Sequence, residues 1–415
     1  MYAVEDKRYE SRSYRYNGQQ IDFVNHHAQV PNSIAYRMSR IIPPGQDDFI
    51  ISPEIVPYNP DSWKKERRII WSCNLGSANG YGAVAENVIL NMIKLGVNVL
   101  DPGSISSVHA GGEFVDKETL KALNQTIEPD CIEIQHCQPP ALRYNIVERI
   151  WNYTMYETTH TPKSWIKMLN RVEHIVVPSS WLVESWRMQG LTRPISVYGH
   201  GIDPRFYYYI ERPERDTFTF LHYGQLSVRK GTELVYRAFL DEFPNQNDVK
   251  LILKNSIPVY PVPLYTPKVE YINAIYSKKQ MLDLLGMSDC AVFPCRGEGF
   301  SLAPLECMAT GLPTIFTNWS GPADYTTKED TLQLGYTFTH STDFDAIYKS
   351  FYEPGEDSGE WAEPNYDELR HLMRWAYEHR AKAKAMGKKA SKRILENWTW
   401  EKKTADFLKV MDKFA

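Results

Sequence analysis

Two glutamates in the second half of the sequence have a spacing that could support chemistry. Glu298 and Glu306 are separated by seven residues, and a helix is predicted to begin near Ser301. The first glutamate then lies on a loop and the second lies about two helical turns later, so both can face one cleft. Carboxylates there suit the neighbouring hydroxyls of a sugar or ribose, at about 1.5–3 kcal/mol per charge-assisted hydrogen bond. The alternative is that both glutamates are solvated surface residues.

The backbone around these glutamates could also hold a phosphate group. Gly297 and Gly299 allow the chain to approach a ligand closely. The start of the helix offers free N–H groups and the positive end of the helix dipole. Pro304 fits the first helical turn, where its missing N–H costs little.

A second loop, between Gly224 and Gly231, carries adjacent cations. Arg229 and Lys230 stand between a predicted strand and a helix that we expect Thr232 to cap. A fixed cation beside helix N–H groups can stabilise the charge of a departing nucleoside diphosphate without a metal. The alternative is a solvated Arg-Lys pair in a surface turn.

A glycine pattern in the first half allows a rival interpretation. Gly80, Gly82 and Ala85 match G-x-G-x-x-A, and Asp101 ends the next strand about twenty residues later. This arrangement would suit an NAD(P)-dependent oxidoreductase. However, Asn74–Asn79 makes a longer bridge from strand to glycines than that fingerprint requires, and hydride transfer leaves the second-half motifs unexplained.

The elements that must position these residues alternate between short apolar strands and amphipathic helices, which indicates an α/β protein with parallel sheets. At 415 residues, the chain exceeds the usual size of a single core, so we predict two domains joined through Gly201–Asp216. The predicted strands are Arg68–Cys73, Val97–Leu100, Cys131–Gln135, Trp151–Met155, Ile175–Pro178, Ile195–Tyr198, Phe218–Tyr223, Lys250–Leu253, Cys290–Pro294 and Pro313–Thr317. The last predicted helices are Tyr366–Lys388 and Ser391–Lys413, and residues 1–62 show no sustained pattern.

Composition limits the possible partners and location. The formal net charge is −4, so there is no global positive field to attract nucleic acid, although a local basic patch would still allow it. No apolar run reaches the roughly 20 residues that a membrane span needs, and the first residues lack a signal-peptide core. We therefore expect a cytoplasmic protein.

The cysteines are expected to be buried free thiols. They are Cys73, Cys131, Cys137, Cys290, Cys295 and Cys307.

Taken together, these motifs resemble the retaining GT-B glycosyltransferases of family four, the group 1 type. The resemblance rests on the glycine-bounded loop ending in Lys230-Gly231, on Glu298 and Glu306 as the E-x7-E motif, and on Gly311-Leu-Pro-Thr-Ile. It covers roughly residues 67–407, and further matches lie in the first half and the crossover. These are Tyr153-Thr-Met-Tyr-Glu157, Asn170-Arg-Val-Glu, Val177-Pro-Ser-Ser-Trp181 and His200-Gly-Ile-Asp203.

The resemblance implies two Rossmann-like domains facing across a cleft. Residues 1–212 would bind the acceptor and 213–395 the donor, with a last helix, 396–415, packing back on the first domain. Lys230 would contact the donor diphosphate, Glu306 the ribose and Glu298 the sugar, with His136 near the reacting centre. The residues expected to bind the donor are Arg229, Lys230, Gly297, Gly299, Phe300, Ser301, Glu306, Gly80 and Gly82. His160 and Glu157 are weaker candidates, and His200 is expected to shape the crossover.

The expected reaction is transfer of a sugar, with retention, from a nucleoside diphosphate sugar to an acceptor hydroxyl. No cofactor or metal is expected, because Asp343-Phe-Asp345 matches the metal-binding D-x-D only formally and begins a predicted helix. One departure stands out: the family usually has arginine where this chain has the neutral Gln225. Either Arg229 substitutes, or the diphosphate is held less tightly, or the protein is a non-catalytic binder. The acceptor stays open, with modified DNA as a second candidate.

Overall fold

The structure is a computed structural model that describes part of the chain. The described residues are 2–6, 11–16, 19–24, 27–30, 49–52, 60–73, 80–100, 131–143, 149–255, 266–341 and 350–414. Three sequence features lie outside them: the Asn74–Asn79 bridge, Asp101 of the dinucleotide pattern, and the Asp343-Phe-Asp345 motif.

The first half forms a parallel sheet of six strands. In spatial order these are Ile195–Val197, His174–Val177, Arg149–Tyr153, Ile132–His136, Arg68–Ser72 and Asn98–Leu100. The three strands Arg149–Tyr153, Ile132–His136 and Arg68–Ser72 are almost fully buried, as expected for a sheet covered by helices on both faces. The helices of this half are Pro60–Lys65, Gly80–Lys94, Lys163–Leu169 and Trp181–Met188, with a 3₁₀ turn at Pro139–Ala141.

The second half repeats the architecture with another six parallel strands. Their spatial order is Val269–Asn273, Val249–Asn255, Phe218–Gly224, Cys290–Phe293, Thr314–Thr317 and Leu332–Leu334. The helices are Thr232–Glu242, Lys278–Met287, Leu302–Ala309, Tyr366–Glu378 and Arg380–Asn397, with a 3₁₀ turn at Gly321–Asp324. A two-stranded hairpin, Tyr336–His340 with Glu360–Pro364, extends from this half. The predicted α/β fold with two Rossmann-like sheets is confirmed.

The final helix, Trp400–Phe414, leaves the second half and packs on the first. Its residues Phe407 and Met411 belong to the same apolar core as Trp71 of the first sheet. The chain crosses between the halves twice at one place, where Ile202 pairs with Thr399. Gly201 allows this close approach, since a Cβ there would lie 2.3 Å from the backbone nitrogen of Trp400.

The predicted boundaries of the last helices were wrong. The first ends at Glu378 and a new one runs from Arg380 to Asn397, because His379 adopts φ −111° and its ring stacks on Trp375. The second break, at Trp398, follows from the crossover: the Trp398 carbonyl accepts a hydrogen bond from the Ile202 N–H.

The segment with no readable pattern contains a five-stranded antiparallel sheet. Its strands are Tyr2–Asp6, Ser11–Tyr16, Gln19–Val24, His27–Val30 and Phe49–Ser52. Tyr2–Asp6 lies between His27–Val30 and Phe49–Ser52. Of the helices that the structure describes, none is long and apolar enough to cross a membrane.

Candidate functional site

A cavity of about 500 Å³ lies where the carboxyl ends of the two sheets meet. Ligand sites in open α/β sheets occur at this edge. Both halves contribute to its walls, and nine of the eleven residues expected to act on a donor line it. These are Gly80, Gly82, Arg229, Lys230, Glu298, Gly299, Phe300, Ser301 and Glu306. The other two, Gly297 and His136, lie outside the cavity lining.

Glu298 is the centre of charge in this cavity. Its Oε1 lies 2.5 Å from the Lys230 Nζ and 3.2 Å from the Arg229 Nη1, and its side chain is almost fully buried. Burial by itself would raise the pKa of the carboxyl group, but the attraction of Lys230 and Arg229 outweighs it and holds that pKa below its usual value. Glu298 is therefore ionised, and both cations line the cavity beside it.

The backbone of Glu298 is fixed from the neighbouring loop. Its N–H donates to the Ser320 Oγ at 3.1 Å, and its carbonyl accepts from the Gly321 N–H at 3.0 Å. A Cβ on Gly321 would lie 2.4 Å from the Phe300 Cα, so only glycine allows these two loops to pack. The loop therefore holds the carboxylate in one place before any ligand arrives.

Gly297 and Gly299 are required because the protein packs tightly against them, not because a ligand needs the space that a side chain would fill. A Cβ on Gly297 would lie 1.9 Å from the Glu157 carbonyl oxygen, and a Cβ on Gly299 would lie 2.4 Å from the Met155 sulfur. Both contacts come from the first half. The glycines thus let the loop that carries Glu298 press against the opposite domain.

The loop with Arg229 and Lys230 is held by a buried network. The Ser227 N–H donates to the Thr232 Oγ1, which lies 3.0 Å from the His222 Nε2, while the His222 Nδ1 lies 2.7 Å from the Val292 carbonyl oxygen. Burial lowers the pKa of His222 to about 4, so its imidazole is neutral with the proton on Nδ1. Thr232 was expected to cap the following helix; instead it bonds this network, and Gly231 with φ 67° takes the cap position.

Arg296 joins the two functional loops. This nearly inaccessible guanidinium contacts Glu233 at 2.7 Å and Glu363 at 2.5 Å, and it also donates to the Val228 carbonyl. Arg296 directly precedes Gly297, and Val228 directly precedes Arg229, so this hydrogen bond ties the two loops together. The sequence offered no signal for this role, because Glu363 is far away along the chain.

Glu306 lies deeper in the cavity among partners that the sequence analysis missed. The Tyr223 hydroxyl donates to its Oε2 at 2.9 Å, and Tyr207 and Lys254 are also close enough to interact. Burial raises the pKa of Glu306 to about 7, against the opposing effects of Tyr223, Tyr207 and Lys254. Tyr223 and Lys254 stand at the ends of adjacent parallel strands, a signal that could have identified them.

Ser301 has a backbone conformation that glycine would favour. Its φ is 70°, its side chain makes no capping hydrogen bond to the helix Leu302–Ala309, and its carbonyl accepts from the Tyr325 hydroxyl at 2.7 Å. Such a conformation costs about 1–3 kcal/mol and is maintained by the surroundings. It leaves the N–H groups of the first helical turn without a side-chain cap at the cavity wall.

His136 lies behind the cavity rather than in it. Its ring stacks between Tyr81 and Tyr153, with centroids 4.9 Å away on each side. Burial lowers its pKa to about 3, so the imidazole is neutral. Tyr81, whose role was not predicted from the sequence, lines the cavity and stacks on His136.

The other residues singled out in the sequence differ in whether they line the cavity. Glu157, His200 and Gln225 line the cavity, while His160 is outside the lining and lies 3.6 Å from Asp357. Gln225 therefore lies in the cavity where the resemblance implies an arginine. The cation nearest to Glu298 besides Lys230 is Arg229.

Comparison with known proteins shows what this arrangement is similar to. Residues 217–349 match the sequence model of the family described as Glycosyl transferases group 1. No curated protein matches the chain in sequence.

Solved structures resemble the chain over most of its length. A sucrose-phosphate synthase from Thermosynechococcus elongatus has a TM-score of 0.58 at 12% identity, covering 84% of this chain and 99% of that one. A UDP-forming α,α-trehalose-phosphate synthase from Burkholderia xenovorans has 0.55 at 14% identity, covering 83% and 98%. TarM has 0.52 at 13% identity, covering 68% and 54%. These likenesses concern the fold.

Proposed function

We propose that the protein is a retaining glycosyltransferase, because residues 217–349 match the family model of the group 1 glycosyltransferases and the chain has the GT-B fold. It moves a sugar from a nucleoside diphosphate sugar to an acceptor hydroxyl. The observation that carries the proposal is the contact of Lys230 and Arg229 with the buried Glu298, at the wall where the helix Leu302–Ala309 begins. Those cations face the place where a diphosphate would meet free helix N–H groups.

The leaving group determines what these residues do. When the bond between the sugar carbon and the phosphate oxygen breaks, its electron pair stays on the diphosphate, and negative charge grows there. Lys230 and Arg229 stabilise that charge in a buried setting where an ion pair is stronger than in water. Glu298 keeps both cations in place and accepts hydrogen bonds from the sugar hydroxyls.

The nucleoside would be held by Glu306. Its carboxylate can accept from both ribose hydroxyls, while Tyr223 orients it from behind at 2.9 Å. A ribose placed here and a sugar placed at Glu298 would lie in the same cavity, whose volume of about 500 Å³ is within the usual range of small-molecule sites.

Retention follows from attack on the face that the diphosphate leaves. The acceptor oxygen forms the new bond to the sugar carbon, and its proton passes to the departing phosphate oxygen, so atoms and charges balance. Glu298 acts here as a positioning group for the sugar. Its ion pairs with Lys230 and Arg229 make it a poor nucleophile, because the negative charge is already neutralised.

The proposal includes turnover without a metal, because the two cations and the helix N–H groups supply the positive charge that a metal would provide. Among the described residues there is no group of three or more metal-ligating side chains. Release of nucleoside diphosphate should be equal with excess chelator and with added Mg²⁺. A requirement for the metal would contradict this part of the proposal.

The test is a screen of nucleotide sugars. Thermal stabilisation and release of nucleoside diphosphate are measured with UDP-, GDP- and ADP-linked sugars, followed by mass spectrometry of glycan and modified-DNA acceptor mixtures. We expect at least one donor to raise the melting temperature and to be turned over. The variant Lys230→Ala should reduce turnover by about 10²–10³-fold.

The matched control is Lys250→Ala, because Lys250 lies outside the cavity lining and pairs with Glu270 at 3.6 Å. Stabilisation by NAD or NADP instead of nucleotide sugars would favour an oxidoreductase. Stabilisation by a nucleotide sugar without hydrolysis or transfer would favour a non-catalytic binder, as the neutral Gln225 allows. Unchanged turnover in Lys230→Ala would remove the site assignment.

A further inference from the structure

A segment of the second half reaches across to the first half. Residues 350–360, here called the strap, form no helix and lead directly into the strand Glu360–Pro364. Phe351 and Tyr352 pack against an apolar cluster that is otherwise made of first-half residues and contains Trp165. The ring centroids of Phe351 and Trp165 are 5.4 Å apart. The strap is therefore anchored in the core of the opposite half.

Hydrogen bonds hold the strap in this position. The Tyr352 hydroxyl oxygen lies 2.6 Å from the His160 carbonyl oxygen and 2.7 Å from the Tyr156 hydroxyl. The Thr159 N–H donates to the Glu360 carbonyl at 3.1 Å, and the Glu360 N–H donates to the Thr159 Oγ1 at 2.8 Å. Side chain and backbone groups of the strap thus bind one short stretch of the first half.

Gly359 lets the strap lie this close. Its φ of 71° is in the left-handed region, and a Cβ there would be 2.4 Å from the His160 nitrogen. Gly355, in the same segment, also has a positive φ, of 82°, but a Cβ there would meet nothing within 4 Å. The two glycines therefore share a backbone requirement, and Gly359 alone of the two is also needed for contact with the first half.

The strap closes a ring of contacts around the loop that carries Glu298. The first-half stretch that the strap binds includes Glu157, whose carbonyl oxygen packs against Gly297. On the other side, Glu363 follows the strap and pairs at 2.5 Å with Arg296, the residue directly before Gly297. The loop, the strand after the strap, the strap and the first half are thus joined in sequence. This ring holds the Glu298 loop against the first half.

The crossover is another connection between the halves, and it is more deeply buried. Ile202 is 1% exposed and Trp400 is 4% exposed. In the strap, residues 353–355 and Asp357 are exposed. The ion pair of Asp357 with His160 joins side chains that are 63% and 48% exposed, so it contributes little. Because regions with few buried contacts open first, the strap separates more readily, and the halves turn about the crossover.

A further tie between the halves lies beside the crossover. Ser180 donates from its N–H and from its hydroxyl to the Asp324 carboxylate, each at 2.6 Å. Asp324 and Trp398 of the crossover line the same small cavity. This tie is therefore close to the axis of such a turn, where displacements are smallest.

On these observations we propose that the strap is a latch between the halves. Docked, it holds the Glu298 loop against the first half and keeps the cavity assembled before a ligand arrives. Undocked, it lets the halves turn about the crossover and moves the two walls of the cavity apart. The docked form binds the donor, so the fraction of docked protein scales the apparent affinity. That last step rests on the proposed function, and the latch itself does not.

The first experiment measures the distance between the halves without any ligand. Spin labels are attached in the double variant Met188→Cys with Met287→Cys, because these residues lie on different halves and are 78% and 48% exposed. Protein without these two substitutions is labelled in parallel to account for the native cysteines. Gly359→Ala should add a second distance to the single distance of the parent protein. Gly355→Ala is the matched control and should keep the parent distribution.

Two results of this experiment would overturn the latch. One is a parent distribution in Gly359→Ala, and the other is the same change in both glycine variants, which would assign it to the backbone of the strap itself. If circular dichroism shows that Gly359→Ala does not fold, Tyr352→Phe decides, since it keeps the packed ring and removes the hydroxyl. A second distance in Tyr352→Phe supports the latch, and a parent distribution contradicts it.

The second experiment uses the nucleotide sugar that gives the largest thermal stabilisation in the screen. Gly359→Ala should bind it at least roughly threefold more weakly than Gly355→Ala does, and saturation should restore the parent distance. Weaker binding with parent distances, or separated halves with parent affinity, would remove the role of the latch in donor binding. If no nucleotide sugar binds the parent protein, the proposed function fails, while the distance measurement still decides the latch.

Discussion

The Nζ of Lys230 lies 2.5 Å from the Oε1 of Glu298, and both residues line the same cavity although they are far apart in the sequence. The two residues stand on different loops, after the strands Phe218–Gly224 and Cys290–Phe293, which pair directly in the sheet. Pairing of these strands is what converts two distant motifs into one charge cluster. Because the pair is nearly buried, each partner depends on the other for compensation of its charge.

This dependence predicts non-additive effects of substitution. Lys230→Ala and Glu298→Gln should each reduce turnover by about 10²–10³-fold, and the double variant should be little worse than the poorer single variant. The reason is that either change removes the same preorganised cluster. Steady-state kinetics of the four proteins gives the coupling energy. Full multiplication of the two single effects would mean that the residues act independently.

A second prediction concerns the neutral Gln225. Arg229 donates to the Gly297 carbonyl at 2.6 Å and approaches Glu298 at 3.2 Å, so we expect it to supply the cation that Gln225 lacks. Arg229→Gln should weaken nucleoside diphosphate binding by roughly tenfold or more, and Gln225→Ala should change it little.

The double variant Gln225→Arg with Arg229→Gln provides the sharper test. An arginine restored at position 225 should recover part of the lost affinity in isothermal titration calorimetry. If Arg229→Gln binds the nucleotide as well as the unaltered protein, Arg229 is not the substitute. A loss that Gln225→Arg deepens would show that the two positions face different ligand atoms.

The raised pKa of Glu306 predicts a pH dependence with a definite sign. Burial raises this pKa to about 7, so the carboxyl group is largely protonated below that pH and ionised above it. Ribose binding needs the ionised form as acceptor, so donor affinity should rise by up to about tenfold between pH 6 and pH 8. Because the folded protein holds this proton more tightly than the unfolded chain does, Glu306 contributes to the free energy of unfolding at low pH. That contribution is lost as the pH rises through 7.

The measurement uses an intact nucleotide sugar, because its diphosphate has no proton to lose over this range. Glu306→Gln is the control: its affinity should be lower and flat with pH. A pH slope that persists unchanged in Glu306→Gln would assign the titration to another group. Lys254→Met should shift the midpoint upward, since Lys254 opposes the rise in the Glu306 pKa.

The sequence predicted the central strands of both sheets well because they are buried on both faces, but it missed the two edge strands of the second sheet, Val269–Asn273 and Leu332–Leu334. Continuous apolar runs such as Phe218–Tyr223 and Cys290–Pro294 are local signals, and the observed strands differ from them by one residue at an end. The amino-terminal sheet gave no such signal, because its pairing is non-local: Ala3 pairs with both Gln29 and Ser52. The break at Trp398 was missed for the same reason, since Ile202 imposes it.

Within the site, motif residues could be predicted and their supports could not. Glu298 and Lys230 follow from strand ends and glycine loops, which are visible along the chain. Tyr207 reaches Glu306 from the crossover, and Tyr81 is set by its stack on His136, so both depend on tertiary packing. The reason for Gly297 could not be predicted either: a Cβ there would meet the Glu157 carbonyl oxygen of the other half, and no local pattern in the sequence reveals that packing.

The last prediction concerns the stability of the loop that presents Lys230. Thr232→Val keeps the shape of the side chain but leaves the Ser227 N–H and the His222 Nε2 without their hydroxyl partner. We expect the free energy of unfolding to fall by about 1–3 kcal/mol, because His222 and Thr232 are buried. Thr232→Ser keeps the hydroxyl and should retain most of the stability, as measured by chemical denaturation.

Since the network also fixes the loop that carries Arg229 and Lys230, Thr232→Val should raise the KM for the donor more than Thr232→Ser does. Equal stability of the two variants would mean that the hydroxyl does not bear on folding, and equal KM values would mean that the loop is held by Arg296 and Gly231 alone.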